Sequence, residues 1–125
     1  MNRRNNKTAG SNYERTIVRE LKEMGFSGVV TSRSESRNMD NSGVDIFDTR
    51  DNPEEGYILP IHIQCKNSQN NVNYHDLLTS ELLPKNKPMV IFHKKTKKAG
   101  KRFMPRGEYV IMTKETFYEF LNLNK

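Results

Sequence analysis

Polar side chains interrupt two short apolar segments that otherwise have the pattern of buried strands. Asp45 lies within the apolar residues 44–47, and Gln64 and Lys66 flank Cys65 further along the chain. Because side chains alternate along a strand, Gln64 and Lys66 share one face, about 7 Å apart. If the strand that carries Asp45 pairs beside them, the three side chains converge at one end of a sheet.

Such a cluster can hold a divalent cation for phosphodiester chemistry. Asp45 supplies a hard carboxylate oxygen, and the backbone carbonyl of Cys65 can supply a second oxygen. The metal would acidify a water and neutralise the scissile phosphate, while Lys66 would stabilise the developing charge or orient the water. Gln64 would position a metal-bound water or fill a weak ligand position. We therefore assign catalytic roles to Asp45, Gln64 and Lys66.

Glu14 is a further candidate, on the first predicted helix. It lies three and four residues before Ile17 and Val18, which begin an apolar series at helical spacing. Glu14 therefore faces inward with them. Two roles remain open, and they are compatible: a catalytic metal ligand, direct or through water, and a capping box with Ser11.

The positive charge is concentrated in two segments. The chain has 21 Lys and Arg against 15 Asp and Glu, a net charge of +6. The segment 94–102 contains no acid, and its bases are Lys94, Lys95, Lys97, Lys98, Lys101 and Arg102. A second basic arm contains Arg3, Arg4 and Lys7. Concentrated cations suit a nucleic-acid backbone, and the alternative is a solvated loop kept polar for solubility.

Arg33 and Arg37 lie in a polar segment before Asp45 and are further candidates for phosphate contacts. A solvated loop is the alternative here too. We expect all of these basic residues to contact DNA. No apolar run approaches the roughly 18–20 residues of a membrane span, so we expect no membrane partner.

Composition excludes several other classes of protein. A single cysteine excludes an intrachain disulfide framework and a cysteine-cluster zinc site. No apolar stretch follows the basic start of the chain, so we expect no secretory signal. Together these features predict a cytoplasmic protein.

The apolar periodicity predicts an α/β fold with a mixed five-stranded sheet flanked by helices. We expect a flexible basic tail over 1–10 and a single domain over 11–125. Helices are predicted over 11–25, 74–83 and 113–123, and strands over 29–32, 44–48, 57–66, 88–93 and 108–112. Residues 94–102 are predicted to form a loop, and Phe117, Phe120 and Leu121 to face inward from the last helix.

The motifs resemble those of the PD-(D/E)xK nuclease superfamily. They are Gly10-Ser11-x-x-Glu14, Ser32 in a polar segment, Gly43-x-Asp45 and Gln64-x-Lys66. The chain looks most like the small Holliday-junction resolvases of archaea and phages, over about residues 7–95. The resemblance implies a restriction-endonuclease-like core, here in the order αβββαββα. It also implies hydrolysis of DNA with Mg²⁺, or Mn²⁺, by a homodimer in the cytoplasm (of the host, for a phage protein).

Two positions depart from the superfamily pattern. Gln64 stands where most members have Glu or Asp, and Val44 replaces the usual proline. An amide oxygen is a poorer ligand for a hard cation than a carboxylate, although Mrr-like restriction endonucleases are known for a Gln-x-Lys version. We expect a metal-dependent endonuclease acting on branched DNA. The alternatives are a restriction-type or nicking endonuclease on duplex DNA, and a non-catalytic DNA-binding module of the same fold.

Overall fold

A five-stranded mixed sheet with flanking helices forms the structure, which is a computed structural model describing residues 6–50 and 57–123. The predicted α/β class and the five strands are therefore confirmed. In chain order the elements are α1 (Asn6–Glu23), β1 (Val29–Thr31), α2 (Ser32–Glu35), α3 (Arg37–Asn41), β2 (Ile46–Asp48), β3 (His62–Ser68), α4 (Tyr74–Thr79), β4 (Met89–Ala99), β5 (Arg102–Ile111) and α5 (Lys114–Leu123).

The strands lie in the order β1-β2-β3-β4-β5. Strand β2 is antiparallel to its neighbours β1 and β3, β3 and β4 are parallel, and β5 returns antiparallel to β4. A parallel pair needs a crossover connection, and the connection from β3 to β4 includes α4. This topology places β3, with its polar pair, at the centre of the sheet.

Helix α1 packs its apolar side against the sheet. Ile17 and Leu21, one helical turn apart, are buried against Ile46, Ile63 and Val90 of the central strands. The core thus fixes the distance between α1 and the middle of β3.

Although α1 has 18 residues, no helix in the described part of the chain is long and apolar enough to cross a membrane.

The predicted start of the first helix is wrong. Helix α1 begins at Asn6, so part of the expected tail is helical and Ser11 lies in the second turn. Ser11 therefore cannot form the predicted capping box with Glu14, because an N-cap precedes the first turn. Other predicted boundaries are wrong by as much: β3 begins at His62 and not at 57, and the polar segment 33–42, predicted to be a loop, forms most of α2 and α3.

The predicted basic loop is instead part of a long β-hairpin. Strand β4 continues to Ala99 and β5 begins at Arg102, with Gly100 and Lys101 as a two-residue turn. Gly100 has φ of 63°, as the first central residue of a type II′ turn requires. Cross-strand hydrogen bonds, rather than an apolar pattern, hold this segment extended.

The prediction for the last helix is partly wrong. Phe120 packs against the core, but Phe117 and Leu121 are each half-exposed. Helix α5 follows the edge strand β5, so only one side of the helix can pack against the sheet. Its remaining apolar side chains stay at the surface.

Candidate active site

The backbone holds Asp45 at the start of β2. Its N–H donates to the carbonyl of Ile63 on β3 at 2.8 Å, and its carbonyl accepts from the N–H of Ser32 at 2.8 Å. The Asp45 carboxylate then turns towards β3, where Oδ2 accepts from the N–H of Cys65 at 2.8 Å. Asp45 therefore meets β3 at the residue between Gln64 and Lys66.

Burial raises the pKa of Asp45 to about 6. The N–H of Cys65 opposes this rise, the charge of Glu14 adds to it, Lys66 opposes it and Asp40 adds to it. The charges of two other carboxylates thus act on Asp45: that of Glu14, which is buried, and that of Asp40, which is exposed. A cation beside Asp45 would relieve this repulsion, and Oδ1 of Asp45 makes no hydrogen bond to another described residue.

Glu14 lies inward on α1, as its spacing predicts, with 3% of its surface exposed. Both carboxylate oxygens are held by Arg33: Nε donates to Oε1 at 3.0 Å and Nη2 donates to Oε2 at 2.6 Å. Such a two-point pair fixes the geometry of both groups. Arg33, expected to contact phosphates, therefore forms part of the site and joins α2 to α1.

Gln64 and Lys66 are half-buried on β3 and lie opposite Ile91 and His93 of β4. Lys66 also lines a cavity of about 270 Å³ beside α4. The amine of Lys66 forms no ion pair with any described residue, although its charge acts on Asp45. It remains available to an anionic ligand.

Cys65 is a small apolar neighbour of the core. It packs against the α1 side of the sheet, and burial raises the pKa of its thiol well above the ordinary value. A thiol in this state is a poor metal ligand. Only its backbone carbonyl is therefore a candidate ligand.

The donors fit a divalent cation in part. Asp45, the Cys65 carbonyl and the Gln64 amide offer oxygen, the ligand type that Mg²⁺ prefers. Because Arg33 holds both oxygens of Glu14, a cation would either share these oxygens with the guanidinium or contact Glu14 through water. Within the described ranges, no group of three His, Cys, Asp or Glu side chains is arranged to hold a metal.

The basic residues of segment 94–102 divide into two groups. The amine of Lys94 lies 6.0 Å from the ring centre of Tyr13, and that of Lys95 donates to the Gln69 carbonyl at 2.6 Å. The side chains nearer the turn are exposed: Lys97, Lys98, Lys101 and Arg102. Only this second group presents its charge freely to a polyanion.

The structure describes only some of the other residues that are candidates for DNA contacts. Arg37 is exposed at the start of α3. Lys7 lies in the first turn of α1, and its side chain lies outside the described part of the structure. Arg3 and Arg4 lie outside the described residues.

The sequence interpretation missed a basic stripe on α1. Arg15, Arg19 and Lys22 line a groove of about 690 Å³ between α1 and β1–α2, together with Arg33. Glu23 and Glu35 also line it. The spacing i, i+4 and i+7 places the first three residues on one helix face, and this signal was present in the sequence.

No protein-family model, curated protein or solved structure matches this chain. A functional interpretation therefore depends on the chemistry and geometry of the site.

Proposed function

We propose that this protein is a metal-dependent DNA endonuclease, acting as a Holliday-junction resolvase on branched DNA. The observation that carries the proposal is the 2.8 Å hydrogen bond from the N–H of Cys65 to Asp45. It brings a partly desolvated carboxylate against the strand segment that contains Gln64 and Lys66. A second carboxylate, Glu14, is buried and close enough to Asp45 for its charge to act on it.

Asp45 and the Cys65 carbonyl would hold Mg²⁺, or Mn²⁺, with Glu14 acting through water. When bound, the ion supplies charge neutralisation at the scissile phosphate and acidifies water. Gln64 orients the attacking water, which forms a new P–O bond as the bond to the leaving sugar oxygen breaks. Lys66, which has no anionic partner among the described residues, stabilises the charge on the phosphoryl oxygens.

The order of elements supports the proposal. Helix α1, strands β1 to β3, helix α4 and strand β4 follow the sequence of elements that a restriction-endonuclease-like core would have. The exposed cations at the hairpin turn supply a surface for the DNA backbone, and the sequence contains no recognition-helix motif that argues for base reading. Shape and phosphate contacts would then dominate, which favours branched DNA.

A non-catalytic DNA-binding module is the second candidate, because of two observations. Gln64 lacks the charge of a carboxylate, and both oxygens of Glu14 are held by Arg33. Such a module would bind DNA equally with and without magnesium. A restriction-type or nicking endonuclease on duplex DNA remains the third candidate, and it would cut a linear substrate.

The test is incubation with a mobile four-way junction and with a linear duplex of equal length, each with Mg²⁺ or with chelator. We expect paired cuts near the branch point with Mg²⁺ only. Asp45→Ala and Lys66→Ala should each lower the cleavage rate by at least about 10²-fold and change DNA affinity only a few-fold. Lys85→Ala, at an exposed position away from the site, is the matched control for the lost charge.

Three outcomes would contradict the proposal. Full cleavage by both site variants would reject this active site. Binding without cleavage, unaffected by Mg²⁺, would select the non-catalytic module. Cleavage of the linear duplex at a fixed sequence would select the restriction-type enzyme.

A further inference from the structure

The β4–β5 hairpin projects beyond the sheet. Strand β3 pairs with β4 only as far as Lys95, and a bulge at Lys95 and Thr96 marks the same point. From there to the turn, β4 pairs with β5 alone. We call residues 96–105 the distal ribbon, and its residues 97–104 are all exposed. It is a two-stranded arm with neither face buried beyond Thr96.

Apolar side chains accompany the cations on this arm. Met104 has 42% of its surface exposed and Phe103 has 37%. In the strand register Met104 lies opposite Lys97, and Phe103 lies opposite Lys98. Directly opposite residues point to the same face, so each apolar side chain has a lysine beside it. The distal ribbon contains no acidic residue.

These features fit opened DNA better than a protein surface. A two-stranded ribbon is narrow enough to enter the DNA major groove, which is about 12 Å wide. Proteins that kink DNA insert side chains such as Phe and Met between base steps, and cations hold the adjoining phosphates. A second copy of the chain would instead place one set of unpaired cations against another.

Because Phe103 and Met104 are consecutive in β5, they point to opposite faces of the ribbon, and Met104 is the more exposed of the two. We propose that the distal ribbon is a wedge that places Met104 against an unstacked base step of branched DNA. Lys97, which lies opposite Met104 on the same face, contacts a flanking phosphate. At a branch point the free energy needed to unstack a base step is low, because the bases there are already partly unstacked. The inference rests on the proposed DNA-binding function, and it names the feature of the substrate that the hairpin would recognise.

The test is fluorescence of a four-way junction with 2-aminopurine at the branch point, measured in chelator so that no cleavage occurs. Binding of the wild-type protein should raise the fluorescence, because the reporter base leaves its stack. Met104→Ser should lose most of this rise and bind the junction roughly tenfold more weakly, equivalent to about 1.4 kcal/mol. Its salt dependence should match the wild type, because no charge changes.

Two variants serve as controls. Met104→Leu keeps an apolar side chain of similar volume and should keep both the fluorescence rise and the affinity. Leu82→Ser removes an apolar side chain that is 71% exposed elsewhere and should behave as the wild type. Far-UV circular dichroism checks that each variant is folded.

Two results would overturn the wedge. One is junction binding with no rise in fluorescence, and the other is an equal rise for the wild type and Met104→Ser. Because the assay contains chelator, its outcome is separate from that of the cleavage test. Cleavage without unstacking would reject the wedge alone, and unstacking without cleavage would reject the nuclease alone.

Discussion

At the scale of single residues, Asp45 is the member of the proposed site on which opposing electrostatic effects act together. Its carboxylate is partly buried and close enough to Glu14 and Asp40 for their charges to raise its pKa. The backbone N–H of Cys65 and the charge of Lys66 oppose this rise. An ionised group in this position destabilises the metal-free fold. Proteins retain such groups where function requires them, so Asp45 is the first residue to test.

We predict that Asp45→Asn stabilises the metal-free protein at pH 7 by about 1–3 kcal/mol. The pKa of Asp45 is about 6 in the folded state, against an ordinary value of 3.8 for an aspartate side chain. The folded state therefore binds the proton more tightly, and the contribution to stability present below pH 4 is lost as pH rises through 6. Asparagine removes the charge and can still accept from the N–H of Cys65.

Urea unfolding of both proteins between pH 4 and pH 8 measures this effect. The stability of Asp45→Asn should exceed that of the wild type increasingly as pH rises. The curves should run parallel above about pH 7. A constant difference across the range would show that Asp45 does not titrate with a raised pKa.

At the scale of elements, the Glu14–Arg33 pair joins α1 to α2 across the site. Glu14 is buried, whereas the Arg33 side chain is 34% exposed. Removing the arginine would leave a buried carboxylate without its partner and would lower the stability of the fold. Because Arg33 is partly exposed to solvent, the loss is smaller than for a fully buried pair. A divalent cation could replace the lost guanidinium.

We predict that Arg33→Ala lowers stability by about 1–3 kcal/mol and makes it more dependent on Mg²⁺. Thermal unfolding with and without Mg²⁺ checks this, and Arg37→Ala on the neighbouring short helix is the control. The rise in Tm on adding Mg²⁺ should be larger for Arg33→Ala than for the wild type. Equal rises would argue that Glu14 lies outside the reach of the metal.

The hairpin is the second element with a measurable role. Since Lys94 and Lys95 already have partners within the protein, phosphate contacts should come from the exposed cations near the turn. We predict that Lys97→Gln, Lys98→Gln and Lys101→Gln together reduce the slope of log K against log salt by about three. Fluorescence anisotropy of labelled duplex DNA from low to high salt measures the slope.

A matched double variant, Lys85→Gln with Lys114→Gln, removes charge from other exposed positions and should leave the slope nearly unchanged. Equal slopes for the wild type and the triple variant would show that the hairpin lysines are solvent-facing only.

At the scale of the whole molecule, one copy presents one candidate site, whereas resolution of a junction requires two symmetric cuts. A two-fold dimer supplies both sites from one interface. Helix α5 offers a surface for it, since half or more of the surface of Phe117, Tyr118 and Leu121 is exposed on neighbouring turns. Apolar side chains grouped in this way are typical of protein interfaces.

We predict a dimer of the 14.6 kDa chain that binds four-way junctions about tenfold more tightly than linear duplex, or about 1.4 kcal/mol. Phe117→Glu should shift the protein to monomers and reduce this preference, whereas Leu82→Glu should do neither. Sedimentation velocity and junction titrations measure the two effects. A monomeric wild type would contradict the resolvase proposal.

The sequence determined the local features of this protein. The apolar spacing of Ile17 and Leu21 predicted the buried side of α1 and the inward position of Glu14. The α/β class followed from the alternation of segments, because periodicity reports which face of each element is buried. The polar residues Asp45, Gln64 and Lys66 were recognisable because they interrupt that pattern.

Tertiary structure decided how those features meet. The pairing of Glu14 with Arg33 joins residues of different elements, and no spacing along the chain encodes it. The lysine-rich segment became a hairpin because hydrogen bonds to β5 outweigh its lack of an apolar pattern, and such bonds depend on strands distant in sequence. Local periodicity specifies which side of an element is buried, whereas packing between elements decides which polar groups become partners.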